Sequence, residues 1–375
     1  MSNTHIELGA VMMGTKPPEK KSDRDIFAYL EQKIPLINEY LEKILKSDLL
    51  DKLLEREGFK HDREALRKGI KEPLLYLYGL GGKRMRGALT LLVMDAFTKN
   101  SDNYVEFSAI PEAIHNASLI QDDIEDSSLT RRGKPAVHVK FGEARSFNSS
   151  VAAYYLPIVP LEGSEKINEK QKDAIRREYV IDMLKLALGQ SLDLEMGGGD
   201  ISYKMKRTEG NYMEIIANKS GVLMGFAAKV GGIVAGVDKK TLKALEEFGI
   251  NLGLAFQIHD DVLNISASEV ASNKGKVGED ITDGKYTLPM IKAMREAGEQ
   301  DKKRFFSILG MKTEDEKLIA EAIGIVDKYG GKEKAEKEAA AKSSVAIDIV
   351  EKFLPDSEAK TFLKQLATFA VTRTS

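Results

Sequence analysis

Apolar residues recur every three or four positions along most of the 375-residue chain. In the segment 27–54, "FAYLEQKIPLINEYLEKILKSDLLDKLL", charged residues occupy the other side of this pattern, which indicates an amphipathic helix. Further helical stretches are predicted at about 208–236, 239–265, 287–298, 313–330 and 332–353, whereas the alternation typical of strands is scarce. We therefore predict an all-α fold, a single large bundle of about ten or more helices with sites built between them.

Two segments differ in composition. Residues 1–24 combine polar residues, glycine and a Pro-Pro pair, which is typical of a loose N-terminal arm. Residues 25–375 are predicted to form the helical domain. A chain of this length could hold two average domains, but large single helical domains also reach this size.

The overall composition excludes several classes of function. With 56 basic and 58 acidic side chains, the net charge of -2 gives no global field that would recruit nucleic acid or anionic lipid. Because the chain has no cysteine, disulfides, thiolate catalysis and cysteine-bound zinc are excluded. No HExxH motif, no apolar run long enough to span a bilayer and no secretory signal is visible, so we expect a cytoplasmic protein without a transmembrane segment.

An acidic cluster lies in the segment 119–135, "LIQDDIEDSSLTRRGKP". On a helix, Asp122 and Asp126 share one face with no lysine between them to relieve their repulsion. A divalent cation would supply the missing positive charge. Arg131 and Arg132, which follow closely, indicate that an anion accompanies the cation.

A second acidic pair, Asp260 and Asp261, ends the apolar run "GLAFQIHDDVLNI". Each cluster alone could be a solvated helix end. Two clusters that both follow an apolar helix face instead favour a site, and their oxygen ligands suit Mg²⁺ that shares its remaining positions with substrate phosphates.

A basic segment, "GGKRMRG", places Lys83, Arg84 and Arg86 after a glycine helix stop. Guanidinium groups there could bind phosphate through paired hydrogen bonds. The segment lacks the GxxxxGK[ST] spacing of a P-loop. Taken alone, it is more simply a helix C-cap followed by surface charge.

Six segments occur in an order that resembles the trans-isoprenyl diphosphate synthases. That family shows GGKxxRP, then DDxxD followed by RRGxP, then GQxxDL, KT or KS, FQxxDD and a downstream GK. Here the segments read "GGKRMRG", "HNASLIQDDIEDSSLTRRGKP", "GQSLDL", "NKSG", "FQIHDDVLN" and "DGKYT". The resemblance covers about 75–290 strongly, and it implies the isoprenoid synthase fold, helices around a central cavity. It also implies a Mg²⁺-dependent head-to-tail condensation of isopentenyl diphosphate with an allylic diphosphate.

The resemblance implies roles for individual residues. Diphosphate-bridged Mg²⁺ ions would be bound by Asp122, Asp126 and Asp260, with Asp123 and Asp261 as supporting acids.

The implied substrate contacts are mostly basic. The allylic diphosphate would be held by Arg131, Lys219 and Lys274, with Lys285 as an additional contact. Isopentenyl diphosphate would lie in a cradle of Lys83, Arg86, His115 and Arg132. Uncharged oxygens facing the allylic cation would come from Ser220, Gln257 and Gln190.

Some of these residues have simpler interpretations. His115 could be an ordinary helix histidine and Gln257 a satisfied core amide. His259, next to Asp260, is not expected to bind metal.

The sequence departs from the family pattern at three positions. Gly87 stands where proline is common, which would loosen the loop without removing a charge. Asn264 replaces the last aspartate of the second cluster, as in eukaryotic geranylgeranyl synthases, and Ser220 replaces the usual threonine. We expect activity to survive the change at Asn264, which keeps a carbonyl oxygen, and Ser220 keeps the hydroxyl of threonine.

The residues before the first cluster bear on product length. Ala117 and Ser118 lie five and four positions before Asp122, where short-chain relatives carry bulky aromatics. We therefore expect geranylgeranyl (C20) as the product in preference to farnesyl (C15), with C25 or longer and C15 as the alternatives. Ile114, or tyrosines of a neighbouring helix such as Tyr154 and Tyr155, could form the floor of the cavity.

Two other functions compete with this interpretation. A class I terpene cyclase shares the fold and a DDxxD motif but has no use for the isopentenyl cradle. A non-catalytic partner subunit would be expected to lose acids from one cluster, and both clusters are complete in their aspartate pairs. The expected partners are isopentenyl diphosphate, an allylic acceptor (dimethylallyl, geranyl or farnesyl diphosphate) and a second copy of the chain.

Overall fold

The computed structural model describes residues 21–55, 62–197, 201–266 and 277–374. Within these ranges the regular structure is helical apart from one two-stranded hairpin, which confirms the predicted all-α class. Residues 1–20 of the predicted arm lie outside the described residues, and the first helix begins at Lys21. Each described helix is too short or too polar to span a lipid bilayer.

Ten helices precede residue 198 in the described part of the chain. They are α1 (Lys21–Lys46), α2 (Leu49–Leu54), α3 (Arg63–Leu66), α4 (Glu72–Gly79), α5 (Met85–Thr98), α6 (Val105–Glu125), α7 (Val137–Phe141), α8 (Glu143–Tyr155), α9 (Ile158–Gly163) and α10 (Glu169–Gly197). A π-helical turn, Arg67–Lys71, joins α3 to α4, and a 3₁₀ turn, Ser101–Tyr104, precedes α6. The hairpin consists of β1 (Thr130–Arg131) and β2 (Lys134–Pro135).

Ten further helices follow among the described residues. They are α11 (Ile201–Lys206), α12 (Glu209–Ile216), α13 (Val222–Ala235), α14 (Lys239–Asn264), α15 (Glu279–Thr282), α16 (Leu288–Glu296), α17 (Glu299–Met311), α18 (Glu316–Lys328), α19 (Gly331–Phe353) and α20 (Glu358–Thr372). The stretches predicted at 208–236, 239–265, 287–298, 313–330 and 332–353 match helices to within a few residues, whereas α11, α15, α17 and α20 were not predicted. A π-helical turn, Ala217–Gly221, joins α12 to α13.

Local side-chain chemistry fixes several helix ends. At the start of α12, the Thr208 hydroxyl accepts a hydrogen bond from the Asn211 amide at 3.2 Å, and the Asn211 side chain accepts one from the Thr208 amide at 3.1 Å. This reciprocal capping box satisfies two backbone donors that the helix itself leaves open. At the start of α20, the Ser357 hydroxyl accepts a hydrogen bond from the Lys360 amide at 3.1 Å.

The chain divides into two compact units. We call Phe27–Arg177 with Ala227–Asp238 the N unit. The C unit comprises the described residues of Glu178–Phe226 and Lys239–Ser375, together with the start of α1 up to Ile26. The first acidic cluster belongs to the N unit, and the second belongs to the C unit.

In the N unit, α6 packs against α5 and α8. The Thr90 hydroxyl of α5 donates a hydrogen bond to the Ala227 carbonyl of α13 at 3.0 Å, and a Cβ added to Gly231 would lie 2.6 Å from the Thr90 carbonyl oxygen. The two backbones are therefore in direct contact. Ile114 and Ile120 of α6 are fully buried, so the helix that carries the first acidic cluster is firmly seated.

In the C unit, α14 packs along α19 and across the π turn before α13. Glycines make this crossing possible: a Cβ on Gly249 would lie 2.4 Å from the Met224 carbonyl oxygen, and one on Gly253 would lie 2.8 Å from the Gly221 Cα. Because the backbones approach so closely, the end of α14 lies beside Ser220.

Candidate active site

The first acidic cluster occupies the last turn of α6 in the N unit. Asp122 is half-buried and Asp126 is exposed, whereas the side chain of Asp123 is only 1% exposed. The Asp126 amide donates a hydrogen bond to the Asp122 carbonyl oxygen at 2.8 Å, so the helical turn continues through the cluster. The two outer acids therefore have the one-turn spacing that the sequence predicts.

Asp123 binds the arginine that follows the cluster. The Nε of Arg131 donates to Asp123 Oδ1 at 3.0 Å and to Oδ2 at 3.1 Å, and its Nη2 also donates to Oδ1. Burial raises the pKa of Asp123, and the hydrogen bonds from Arg131 oppose that shift. Asp123 thus holds the Arg131 guanidinium through both of its carboxylate oxygens.

A β-hairpin positions the two consecutive arginines, Arg131 and Arg132. Arg131 ends β1, and the turn residues Arg132 and Gly133 have φ values of 54° and 73°. A two-residue hairpin turn of this kind needs positive φ at both positions, which glycine allows and arginine tolerates only at some cost. The Arg132 guanidinium then donates to the Gly81 carbonyl oxygen of the glycine loop.

The glycine loop accommodates that guanidinium because it lacks side chains. A Cβ added to Gly82 would lie 2.8 Å from the Nη2 of Arg132. Burial, together with the neighbouring Arg84 and Arg131, lowers the pKa of Arg132 to about 10, so the group stays cationic at neutral pH. The Arg132 side chain therefore packs against the glycine loop that leads to Lys83.

The three basic residues of "GGKRMRG" do not act alike. Arg84 is 3% exposed and adopts a left-handed backbone with φ 45°. Its Nε donates to Asn38 Oδ1 at 2.6 Å and its Nη2 to the Tyr78 carbonyl oxygen at 2.9 Å. Arg84 thus anchors the loop to the core.

A buried carboxylate organises the start of α5. Glu112 of α6 accepts hydrogen bonds from the backbone amides of Arg86 and Gly87, both at 3.0 Å. A negative charge at a helix N-terminus is favourable because it satisfies open amides and opposes the helix dipole. A proline at position 87 would lose one of these bonds. A Cβ there would lie 3.0 Å from the Glu112 Cγ, so Gly87 tightens this contact and does not loosen the loop.

Arg86 and His115 form the inner part of the predicted cradle. The Arg86 Nε is buried and has no hydrogen-bond partner among the described residues. Burial lowers the pKa of His115 far below its usual value, and four arginines reinforce that shift. An unsatisfied guanidinium donor beside a neutral imidazole and further cations fits an anionic ligand. The arginines around His115 are Arg86, Arg132, Arg84 and Arg131.

The predicted chain-length residues lie along α6 above the cluster. Ala117 and Ile114 are fully buried, whereas Ser118 is half-buried and donates its hydroxyl to the His115 carbonyl oxygen at 2.9 Å. From the neighbouring α8, the Tyr154 hydroxyl donates to Gln121 Oε1 at 3.1 Å, whereas Tyr155 is exposed.

The second acidic cluster lies near the end of α14 in the C unit. The side chain of Asp260 is 54% exposed, and its Oδ1 is 2.9 Å from the Nη1 of Arg373. Asp261 is buried and accepts hydrogen bonds from the Tyr212 hydroxyl at 2.5 Å and from Gln257 Nε2 at 2.9 Å. Burial raises the pKa of Asp261 to about 7, and the two hydrogen bonds limit that shift.

Ser220 and Gln257 belong to the same hydrogen-bonded chain. The Ser220 hydroxyl donates to Gln257 Oε1 at 2.9 Å, and the amide nitrogen of that glutamine donates to Asp261. The glutamine oxygen is therefore held in one orientation.

Lys219 lies in the π turn before α13, where its Nζ donates to Asp193 Oδ2 at 2.8 Å. π turns inside helices often occur at functional sites. Gly189 of α10 makes the approach possible, because a Cβ there would lie 2.6 Å from the backbone nitrogen of Lys219. Gln190, the next residue, is half-buried.

The remaining predicted residues of the C unit have different environments. Lys285 is 3.2 Å from the Asp283 carboxylate and is partly exposed. Asn264 uses its side-chain oxygen to accept the Asp280 amide at 3.1 Å, so that oxygen supports the start of α15. Lys274 lies outside the described residues. His259 donates its Nε2 proton to the Arg373 carbonyl oxygen at 2.8 Å.

Several residues that shape the site were missed in the sequence. Asp193 belongs to the "GQSLDL" segment, so its motif was available as a signal. Glu112 precedes His115 by three positions on one helix face, which is a weaker signal. Arg373 pairs with an acid far away in sequence, and no local pattern indicates this.

The chemistry of the carboxylates fits a hard divalent cation, but they do not form a complete cage. Among the described residues, no group of three or more histidine, aspartate or glutamate side chains is close enough to hold a metal ion. Mg²⁺ usually keeps several waters and shares further positions with phosphate oxygens, so one or two carboxylates per ion suffice. Asp122, Asp126 and Asp260 are the accessible acids that fit this role.

Comparison with known proteins agrees with the family resemblance found in the sequence. The family model described as polyprenyl synthetase matches residues 67–326. A short chain isoprenyl diphosphate synthase from Methanothermobacter thermautotrophicus is 36% identical over 83% of this chain and 94% of its own length. A geranylgeranyl diphosphate synthase from Saccharolobus solfataricus is 30% identical over 82% of this chain and 91% of its own length.

The fold agrees as well. A crystal structure of geranylgeranyl pyrophosphate synthetase from Pyrococcus horikoshii superposes with a TM-score of 0.77 at 31% sequence identity, covering 93% of this chain and 99% of that one. The family match alone spans more than half of the chain. On this basis, the chain belongs to the polyprenyl synthetase family.

Proposed function

We propose that this protein condenses isopentenyl diphosphate with an allylic diphosphate and releases a longer prenyl diphosphate, with geranylgeranyl diphosphate (C20) as the main product. The observation that carries the proposal is the buried Nε of Arg86, which has no hydrogen-bond partner among the described residues and lies in an arginine-rich group around His115, about two turns before Asp122 on α6. Arg84 anchors the loop, and Arg131 is paired with Asp123. The open donor of Arg86 is instead suited to a diphosphate anion.

In the proposed reaction, the allylic carbon–oxygen bond breaks and the diphosphate leaves with the electron pair. The double bond of isopentenyl diphosphate attacks the allylic cation, and loss of a proton from the isopentenyl unit completes the product. Arg131, held by Asp123, and Lys219, held by Asp193, would stabilise the charge that gathers on the departing diphosphate. The Gln257 oxygen, oriented by Ser220, would face the developing cation.

Mg²⁺ would supply Lewis acidity to the leaving diphosphate when bound. Within the N unit, Asp122 and Asp126 are proposed as protein ligands for Mg²⁺; within the C unit, Asp260 is proposed as a ligand. That both clusters act on one diphosphate, and that Lys274 and Lys285 assist, remain predictions from the sequence. The expected cytoplasmic location is likewise a prediction.

The isopentenyl cradle distinguishes this proposal from a terpene cyclase, which uses one substrate. Arg86, His115 and Arg132 form a second anion-binding group beside the Asp123–Arg131 pair. A second diphosphate substrate accounts for that group.

One incubation tests the proposal. Purified protein would be mixed with Mg²⁺, labelled isopentenyl diphosphate and, separately, dimethylallyl, geranyl or farnesyl diphosphate, followed by chain-length analysis. Labelled C20 product is the expected result. A labelled C15 or C25 product would correct the length, and cyclised hydrocarbon or no label transfer would refute the function.

We also propose that the protein is a homodimer, as the family resemblance implies. Along α10, apolar side chains four residues apart are exposed: Val180 by 56%, Leu184 by 68% and Leu188 by 49%. A stripe of this kind favours burial against another chain. Leu184→Glu should halve the mass measured by light scattering, whereas Leu53→Glu, at a leucine of α2 that is 56% exposed, should not.

A further inference from the structure

Arg373 is built into the C unit, not displayed on its surface. It directly follows α20, and its side chain is 4% exposed. Its Nη2 donates to the Phe256 carbonyl oxygen of α14 at 3.0 Å, and its guanidinium carbon lies 5.0 Å from the centre of the Phe256 ring. The backbone is fixed too, since the Arg373 carbonyl accepts the His259 hydrogen bond.

The aromatic side chain beneath Arg373 is fixed by a second ring. Phe369, one turn earlier on α20, meets Phe256 edge to face with ring centres 6.4 Å apart. Two contacts to Phe256 thus hold the guanidinium in place independently of the acidic cluster. A third is the ion pair of 2.9 Å between Arg373 Nη1 and Asp260 Oδ1.

The acid in that ion pair is the accessible one. Asp261 is buried and satisfied by Tyr212 and Gln257, so Asp260 is the member of the pair that can meet a cation from solvent. Its Oδ1 is already occupied by a fixed cation. A divalent ion bound to that oxygen would lie within a few ångströms of the guanidinium, and the two positive charges would repel.

We propose that Arg373 is the resident counter-cation of Asp260: it neutralises the second acidic cluster while no substrate is bound and opposes metal binding there until an anion arrives with the metal. The inference rests on the proposed function for the identity of the metal and the anion. It assigns Arg373 a positioning role, because it acts through Asp260. The consequence is that metal and diphosphate bind to this cluster together.

The test is a titration with Mn²⁺ followed by electron paramagnetic resonance, which counts free ions and needs no turnover. Asp122→Asn and Asp126→Asn are introduced first, so that the remaining binding reports on the second cluster. In this background, Arg373→Gln should bind Mn²⁺ roughly tenfold more tightly than the parent, because the repelling charge is gone. Arg304→Gln is the matched control, since Arg304 is a surface arginine paired with Glu321 at 2.6 Å.

Two further measurements separate this role from a merely structural one. Arg373→Lys keeps the charge and should retain affinity near that of the parent. Inorganic pyrophosphate should tighten Mn²⁺ binding by a larger factor in the parent than in Arg373→Gln. When Asp260→Asn is added, proteins with arginine or glutamine at position 373 should bind Mn²⁺ with equal affinity. A change in folding caused by Arg373→Gln would not depend on Asp260 in this way.

Equal or weaker Mn²⁺ binding in Arg373→Gln would overturn the inference, as would an equal effect of pyrophosphate in both proteins. Absence of Mn²⁺ binding in both the parent and Arg373→Gln would also overturn the inference, because removal of Arg373 would then not have made Asp260 available to a metal ion. No prenyl substrate is present in the titration. Failure of the inference is therefore distinct from failure of the proposed function, which the product assay decides.

Discussion

Arg131 donates its Nε to both carboxylate oxygens of Asp123, at 3.0 and 3.1 Å, although Asp122 and Asp126 lie nearer to solvent. The acids of the cluster thus differ in environment. The buried acid holds an arginine, and the two outer acids stand one turn apart at the helix end. The same division recurs at the second cluster, where Asp261 is buried in hydrogen bonds and Asp260 is accessible.

The first prediction concerns the buried acid. Asp123→Asn should lower the free energy of unfolding by about 1.5–3 kcal/mol, because a charged hydrogen-bond acceptor of Arg131 is lost. The substitution should also leave Arg131 without its partner. Because Arg131 is proposed to bind the allylic diphosphate, the KM for that substrate should rise more than the KM for isopentenyl diphosphate. Urea denaturation and steady-state kinetics measure the two effects. An unchanged unfolding midpoint would show that the pair does not stabilise the fold.

The second prediction concerns an outer acid. Asp122→Ala should reduce turnover by orders of magnitude at little cost in stability, because Asp122 is only half-buried and is proposed as a metal ligand. Glu125→Ala, three residues further along α6 and exposed, serves as the control and should stay near the parent rate. Near-normal turnover in Asp122→Ala would remove that residue from the site.

The third prediction is a pH dependence. Burial and the surrounding arginines hold the pKa of His115 well below its ordinary value of about 6.5, so the folded protein keeps this imidazole neutral while the unfolded chain takes up a proton. This contribution to stability is complete above about pH 6.5 and is lost as the pH falls from there toward the folded-state pKa. His115→Asn should therefore lose less stability than the parent between pH 7 and pH 5.

The pH dependence is checked by measuring the urea unfolding midpoints of the parent and of His115→Asn at several pH values. The other four histidines are present in both proteins, so their contributions cancel in the comparison. Parallel losses in the two proteins would contradict the prediction.

The parts of the site that the sequence predicts are local ones. The spacing of Asp122 and Asp126 and the helical run that ends at Asp260 depend on residues close together in the chain, so a helix places them as expected. The hairpin at Arg132 and Gly133 was not predicted, because its strands have only two residues each and show no alternation.

The inward turn of Arg84 and the pairing of Arg373 with Asp260 were beyond sequence reasoning for a different reason. Their partners are 46 and 113 positions away. Such contacts are decided by how helices pack, and a list of charged residues does not contain that information. The same holds for Gly87, whose tight contact with Glu112 opposes the expected loosening of the loop.

The fourth prediction concerns a glycine that lets two elements meet. Gly189→Ala should destabilise the protein by about 1–3 kcal/mol, because the added Cβ would press on the backbone of Lys219. Turnover should fall as well, since this would displace Lys219, which is proposed to contact the diphosphate. Gly324→Ala is the matched control: that glycine lies on α18 with nothing within 4 Å of an added Cβ. Alanine there should stabilise the helix by up to about 1 kcal/mol. Thermal melts of both variants measure the two changes in stability. A loss only in Gly189→Ala shows that close packing, not helix propensity, requires glycine at position 189.

The last prediction concerns product length. Ser118 is half-buried, and its hydroxyl bonds only to the carbonyl of its own helix at His115, so a larger side chain can replace it without loss of a tertiary hydrogen bond. Ser118→Phe should shift the main product from C20 toward C15, because the ring would occupy space that the growing tail needs. Ser118→Ala removes the hydroxyl and adds no volume, so its product should stay unchanged. Ala117 is fully buried, and phenylalanine there should also cost about 1–3 kcal/mol in stability through overpacking, which makes Ser118 the cleaner probe. An unchanged product in Ser118→Phe would mean that the tail runs along a different face of α6.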